Sequence, residues 1–211
     1  KDFIWKGLHE LKIIALELKK HPELKLFLSS FFMYSVGVQT IILMAGIFGS
    51  KELGLPTLDL IAVILVVQIV GIIGAFLFSR LSDRIGNISS LKIAISIWTI
   101  VCVSAFMLDK SQENVHYYFY GLGALIGLVM GAIQSLSRST YSKLLPETKD
   151  HATYFSFYDV TEKIAIVFGM LVFGLLVSLT GSMQWSVLFL AIFFLISFVL
   201  LTFVGKTKYV Q

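Results

Sequence analysis

Charge is what this sequence has least of. Charged residues make up 14% of its 211 positions, where a soluble domain carries about 25%, and 57% of the chain is hydrophobic. A surface of that composition cannot be kept in water, so a soluble globular domain is excluded. The single Cys102 excludes an internal disulfide and a thiolate cluster for a metal. Only four histidines occur, His9, His21, His116 and His151. All lie in loops or at the ends of apolar runs, and there is no metal-binding His pair, no GxSxG elbow and no carboxylate pair in the middle of an apolar run. A membrane-embedded enzyme, a metal site and a resident cofactor are therefore not expected.

What is present is apolar sequence in long blocks. Six stretches, at 25–49, 57–79, 89–108, 117–138, 155–179 and 184–204, are each long enough to cross a hydrocarbon core of roughly 30 Å as a helix. The expected fold is all-α, a polytopic six-transmembrane-helix bundle. The three prolines, Pro22, Pro56 and Pro146, fall at or between the span ends, where a missing amide donor is tolerated best. Flanking the bundle, residues 1–24 read as a cytoplasmic amphipathic linker helix, with Trp5, Leu8, Leu11, Ala15 and Leu18 among lysines. Residues 206–211 form a cytoplasmic tail. The absence of an initial methionine and of a signal peptide reads as a piece of something longer.

Basic residues are distributed with a strong bias. Fifteen of the 17 Lys and Arg fall in segments that six spans place on the same side, and only Lys51 and Lys110 fall on the other. The positive-inside rule puts that side, and both termini, in the cytoplasm. The net charge of +4 then needs only anionic lipid headgroups as its partner, and nucleic acid is not required.

Polar residues inside the spans separate the helices. The third and sixth hide little beyond serine and threonine, which bond back to their own helix, and are expected at the periphery. The first, second and fourth carry Gln39, Gln68 and Gln134, costly in hydrocarbon without a partner or a water-filled cavity. Spans one, two, four and five are therefore expected in the interior. Gly123, Gly127 and Gly131 recur every fourth residue and strip one face of the fourth helix, for close helix packing or for a groove. Arg138 continues that face, either lining a cavity or snorkelling to water. In the fifth span Asp159 and Lys163 are spaced to pair, and Glu162 is placed to reach Arg138. These three belong to a cytoplasmic gate or to a capping cluster at the interface.

Between the second and third spans lies "SRLSDRIGN", residues 79–87. Topology asks only for positive charge there; it does not account for Asp83, Gly86 or the tightness of the turn. Leu81, Ser82, Asp83, Arg84 and Gly86 match the loop signature of the major facilitator superfamily, with Ser79 in place of its first glycine and Asn87 and Ile88 in place of its basic tail. The chain resembles the C-terminal six-helix half of such a transporter. "GAIQSLSRSTYSKLLPE" at 131–147, with "YFSFYDVTEK" and "LTGS", is similar to the branch of autophagy-related vacuolar amino-acid effluxers and their bacterial relatives. That likeness covers residues 25–205 and is strongest over 121–182.

The resemblance implies secondary active transport of a small solute by alternating access, in a bacterial cytoplasmic membrane. The partners would be the N-terminal six-helix half, the bilayer, the solute, and a proton or sodium ion. It implies a cavity lined by Tyr34, Gln39, Gln68, Gln134 and Arg138. It also implies a cytoplasmic latch at Arg80, Asp83, Arg84 and Gly86, with Asp83 set against a helix N-terminus of the other half. The neutral amides suit amino acids, sugars or peptides alike. A structural or regulatory membrane subunit without transport of its own is the alternative.

Overall fold

The computed structural model describes residues 14, 16–147 and 150–204. Among them it is all-helical: a 3-10 turn, Leu18–Lys20, then α1 (Pro22–Lys51), α2 (Thr57–Ile85), α3 (Asn87–Met107), α4 (Val115–Leu144), α5 (His151–Thr180) and α6 (Met183–Val204). All six are long and apolar enough to cross a membrane, so this is a multi-pass integral membrane protein.

Local chemistry sets most boundaries. Pro22 and Glu23 occupy the first turn of α1, where a missing donor costs nothing and a carboxylate meets the positive end of the helix dipole. Asn114 precedes α4 at φ 65, a left-handed conformation that asparagine tolerates. Asp150 caps α5 by accepting from the Thr153 amide, and Gly181 closes it at φ 70 with its amide on the Val177 carbonyl. Several helices outrun the apolar stretches, most of all at the C-terminal ends of α2 and α4. Nothing in 80–85 breaks a helix, so Arg80, Asp83 and Arg84 ride on the last turns of α2, and the connection to α3 is Gly86 alone, at φ 83. The cluster expected as a turn is thus a helix end.

Within these six helices, burial does not follow the order expected from polarity. α3 buries Ile95, Trp98 and Cys102 completely and α6 buries Leu190, Phe194 and Leu201 completely. The two helices pack on each other, with the Trp98 and Phe194 rings stacked 5.8 Å apart. α6 also packs along α1, and α3 along α4. The helices with the least burial are α2, which buries only Val63, Gly74 and Phe78, and α5. Lipid tails are as apolar as leucine, so an isoleucine-rich face such as that of Ile61, Ile64, Ile69 and Ile72 on α2 costs nothing when uncovered in a membrane. Polarity therefore does not rank burial within these six helices.

Close approach holds the pairs together. On α2 against α4, a Cβ at Gly127 would meet the Val67 backbone, one at Gly131 the Gly71 carbonyl, and one at Gly74 the Leu128 backbone. Backbones in such contact gain dispersion that bulkier side chains would prevent. Between α1 and α6, the buried Ser30 and Ser197 hydroxyls lie 2.7 Å apart, and Ser30 also donates to the Ser197 carbonyl. Of the linker segment 1–24, Ile14 and Leu18 are buried and Glu17 accepts from Tyr154 of α5 at 2.8 Å. Its other expected apolar contacts, at Trp5, Leu8, Leu11 and Ala15, lie outside the described residues, as does the tail 206–211.

Candidate functional site

Three helices enclose a polar cavity of about 210 Å³. α1 contributes Phe31, Tyr34 and Gln39, α4 contributes Gln134, Ser137 and Arg138, and α5 contributes Tyr158 and Glu162. Their spacing explains the convergence: 34 and 38–39, 134 and 137–138, and 158 and 162 are one turn apart on each helix.

Hydrogen bonds cross the cavity between helices. Ser137 donates to the Ile133 carbonyl of its own helix, so its oxygen accepts from the Tyr34 hydroxyl at 2.6 Å. Gln39 Nε2 donates to Glu162 Oε1 at 2.7 Å, and the Arg138 guanidinium pairs with Asp159 at 3.2 Å. Arg138 also sits 5.8 Å from the Tyr158 ring centroid, and Tyr158 stacks on Phe31 at 4.0 Å. The side chains of Arg138 and Asp159 are 59% and 52% exposed, so their pairing stabilises the fold by only about 0 to 1 kcal/mol. That ion pair is available for other partners. A cation, a carboxylate, an amide donor and aromatic faces thus line one small polar cavity, with Asp159 paired to the cation beside it.

Of the residues singled out in the sequence, Tyr34, Gln39, Gln134 and Arg138 come together here. Gln68 does not: it lines a separate apolar cleft of about 370 Å³ between α1, α2 and α4, beside Gly123 and Met130. The α5 charges also pair differently from expectation. Asp159 takes Arg138 and Glu162 takes Gln39, while Lys163 turns to an open face with Val160, Ile164 and Val167. Asp159 and Lys163 are one turn apart, but Asp159 is held by Arg138 of α4 while Lys163 lies with Val160 and Ile164. Glu162 is consequently a cavity residue by position. Ser137 and Tyr158 carried no distinctive signal in the sequence, since serine and tyrosine abound near its span ends.

At the C-terminal end of α2, Asp83 and Arg84 are exposed and make no hydrogen bond or ion pair among the described residues, and Arg80 lies over its neighbour Phe76 at 4.3 Å. Asn87, where the family signature turns basic, is buried. Its amide donates to the Ser139 hydroxyl at 3.0 Å and its oxygen accepts from Lys143 at 3.4 Å. The start of α3 is thereby tied to α4 one residue beyond Arg138. At the opposite end, Glu52 after α1 accepts from Ser182 Oγ at 3.0 Å and from the Met183 amide at 3.1 Å, at the N-terminus of α6. Among the described residues, no three His, Cys, Asp or Glu side chains are grouped to hold a metal ion.

Comparison with known proteins agrees with this architecture. A family model described as "Vacuole effluxer Atg22 like" matches residues 1–210. The chain is 35% identical over 190 residues to the uncharacterized MFS-type transporter YxiO of Bacillus subtilis, covering 90% of this chain and 42% of that protein. It is 28% identical to autophagy-related protein 22-1 of Penicillium rubens over 90% of this chain and 33% of that one. With autophagy-related protein 22 of Kluyveromyces lactis it shares 27% identity over 93% of this chain and 40% of the relative. The chain thus spans about two-fifths or less of the length of these relatives. Six membrane-length helices, together with a family match over almost every residue, make this chain a member of the Vacuole effluxer Atg22 like family.

Proposed function

We propose that this chain forms the C-terminal six-helix half of a secondary active transporter, moving a small solute by alternating access, with the α1–α4–α5 cavity on its path. The observation that carries the reading is the cavity itself. Arg138, Asp159, Glu162 and Gln39 are polar groups on membrane-length helices, costly in hydrocarbon unless they serve one another, water or a solute. Their arrangement suits a solute bearing both an ammonium and a carboxylate, such as an amino acid. The carboxylate would displace Asp159 from Arg138, and the ammonium would settle against the freed carboxylates. No covalent step is involved, and the chemistry is exchange of ion pairs.

The missing partner of this reading is an N-terminal six-helix half. The uncovered apolar faces of α2 and α5 support docking of such a half there, and the unpartnered Asp83 supports a cytoplasmic latch against one of its helix N-termini. The charge bias of the loops supports cytoplasmic termini in a bacterial cytoplasmic membrane.

The test is flux. The full-length protein, reconstituted in proteoliposomes with a proton or sodium gradient, is assayed with a labelled amino-acid mixture, alongside Arg138→Ala. Gradient-dependent uptake that Arg138→Ala abolishes supports transport. Intact partner binding without flux would instead support a structural or regulatory subunit.

A further inference from the structure

We propose that Lys163 forms an ion pair with an Asp or Glu carboxylate on a membrane span of the N-terminal half, fixing where that half docks on α5. This rests on the two-half reading above and names the contact that sets the register between the halves. The flanks of α5 are told apart by what they touch. Its α1 side is marked by Gly169, where a Cβ would meet Thr40, and its α6 side by Phe168, whose ring lies 6.2 Å from that of Phe193. Its cavity side is marked by Asp159, held by Arg138. At 3.6 residues per turn, Lys163 stands about 120° round the helix from Gly169, about 140° from Phe168 and about 40° from Asp159. It therefore points to the flank that neither α1 nor α6 covers. There it is exposed beside Val160, Ile164 and Val167, and it makes no hydrogen bond or ion pair among the described residues.

An ammonium on a membrane helix has few neighbours that can satisfy it, and position removes three of them. Lysines reach headgroup phosphates or bulk water by snorkelling when they sit near a helix end. Lys163 lies about 12 Å into the apolar stretch 155–179 at 1.5 Å per residue, and the apolar flank continues past it to Leu171. The solute path is the second neighbour, but Lys163 does not line the α1–α4–α5 cavity. The carboxylates of its own helix are the third: Asp159 is taken by Arg138, and Glu162 accepts from Gln39. What remains is a carboxylate carried by protein outside these six helices. The relatives hold more than half of their length outside the stretch that this chain matches, so such protein is at hand. Opposite charges that are each costly alone in hydrocarbon draw one another, and the valines and isoleucine around Lys163 keep out the water that would screen them.

The experiment melts the full-length protein in lipid nanodiscs, unchanged and as Lys163→Met, which keeps an unbranched side chain and removes its charge. Taking away one partner of a buried pair leaves the other charge unmatched. Lys163→Met is therefore expected to lower the melting temperature by several degrees, or to reduce the yield of monodisperse protein. Neutralising the Asp and Glu residues of the N-terminal spans one at a time, in the Lys163→Met protein, is expected to find one change that restores it. A lysine facing lipid gives the opposite sign, because methionine is better tolerated in hydrocarbon. An unchanged or raised melting temperature overturns the pair, and so does a loss that no neutralisation restores. Melting and rescue need no flux, so the two readings fail separately. A protein that moves no solute while rescue holds loses the transport reading and keeps the pair. One that transports, and in which Lys163→Met melts no lower, keeps transport and loses the pair.

Discussion

The Glu52 carboxylate accepts a hydrogen bond from the backbone amide of Met183 across 3.1 Å, joining the C-terminal end of α1 to the first turn of α6. The same oxygen takes the Ser182 hydroxyl and the Gln184 amide. Orphan amides at a helix N-terminus are satisfied and the dipole is met by negative charge in one contact. Glu52→Ala is expected to destabilise the bundle by about 1 to 2 kcal/mol, and Glu52→Gln by less. Thermal unfolding in detergent checks both.

The α2–α4 crossing makes a second prediction. A methyl group at Gly127 would lie 2.6 Å from the Val67 carbonyl oxygen, whereas Gly121 on the same helix has open space. Gly127→Ala is expected to cost about 1 to 3 kcal/mol through forced separation of the helices, with Gly121→Ala neutral or slightly stabilising. Monodispersity by size exclusion and melting temperature distinguish the two.

Asn87 predicts an order among substitutions. Asn87→Ser is expected to be mildly destabilising, by about 1 kcal/mol, and Asn87→Lys more so, because the new ammonium would face Lys143 in place of the oxygen that now accepts from it. Raising the salt concentration is expected to narrow the gap between the two variants, since screening weakens like-charge repulsion.

Asp150 governs an acid-sensitive helix start. Hydrogen bonds from Thr153 hold its carboxyl below the ordinary carboxylate value. A lowered folded-state value means that the contribution is present above the unfolded value and is lost as pH falls through the folded one. Protection of the Thr153 amide from hydrogen exchange is therefore expected to be steady at neutral pH and to decline below about pH 4. Asp150→Asn should show no such decline.

Orientation is checked by labelling. Ser82→Cys on the α2 end is expected to react with an impermeant thiol reagent only from the cytoplasmic side. The native Cys102 of this chain is buried, so its own background is low. Reaction from outside alone would reverse the topology.

Helix number, type and approximate limits were legible because the bilayer imposes a length and the backbone must satisfy itself within each span. Of the cavity residues that the resemblance implied, Tyr34, Gln39, Gln134 and Arg138 meet on facing helices and Gln68 does not, because spacing fixes a face but not the neighbour it meets. The extension of α2 through Arg84 was not, since an apolar window ends at the membrane edge while a helix ends only where something breaks it, here Gly86.

By itself the sequence determined six apolar helices, the charge bias of their loops and the glycine face of α4, all of which follow from local composition and helical period. The tertiary structure alone decided that α3 and α6 share a core through Trp98 and Phe194, that Gln68 lies apart from the other glutamines, and that Arg138 takes Asp159 while Glu162 takes Gln39. Spacing restricts a side chain to one face of its helix. Which neighbour that face meets depends on how six helices of nearly equal apolarity are arranged around one another, and close packing rather than hydropathy sets that arrangement.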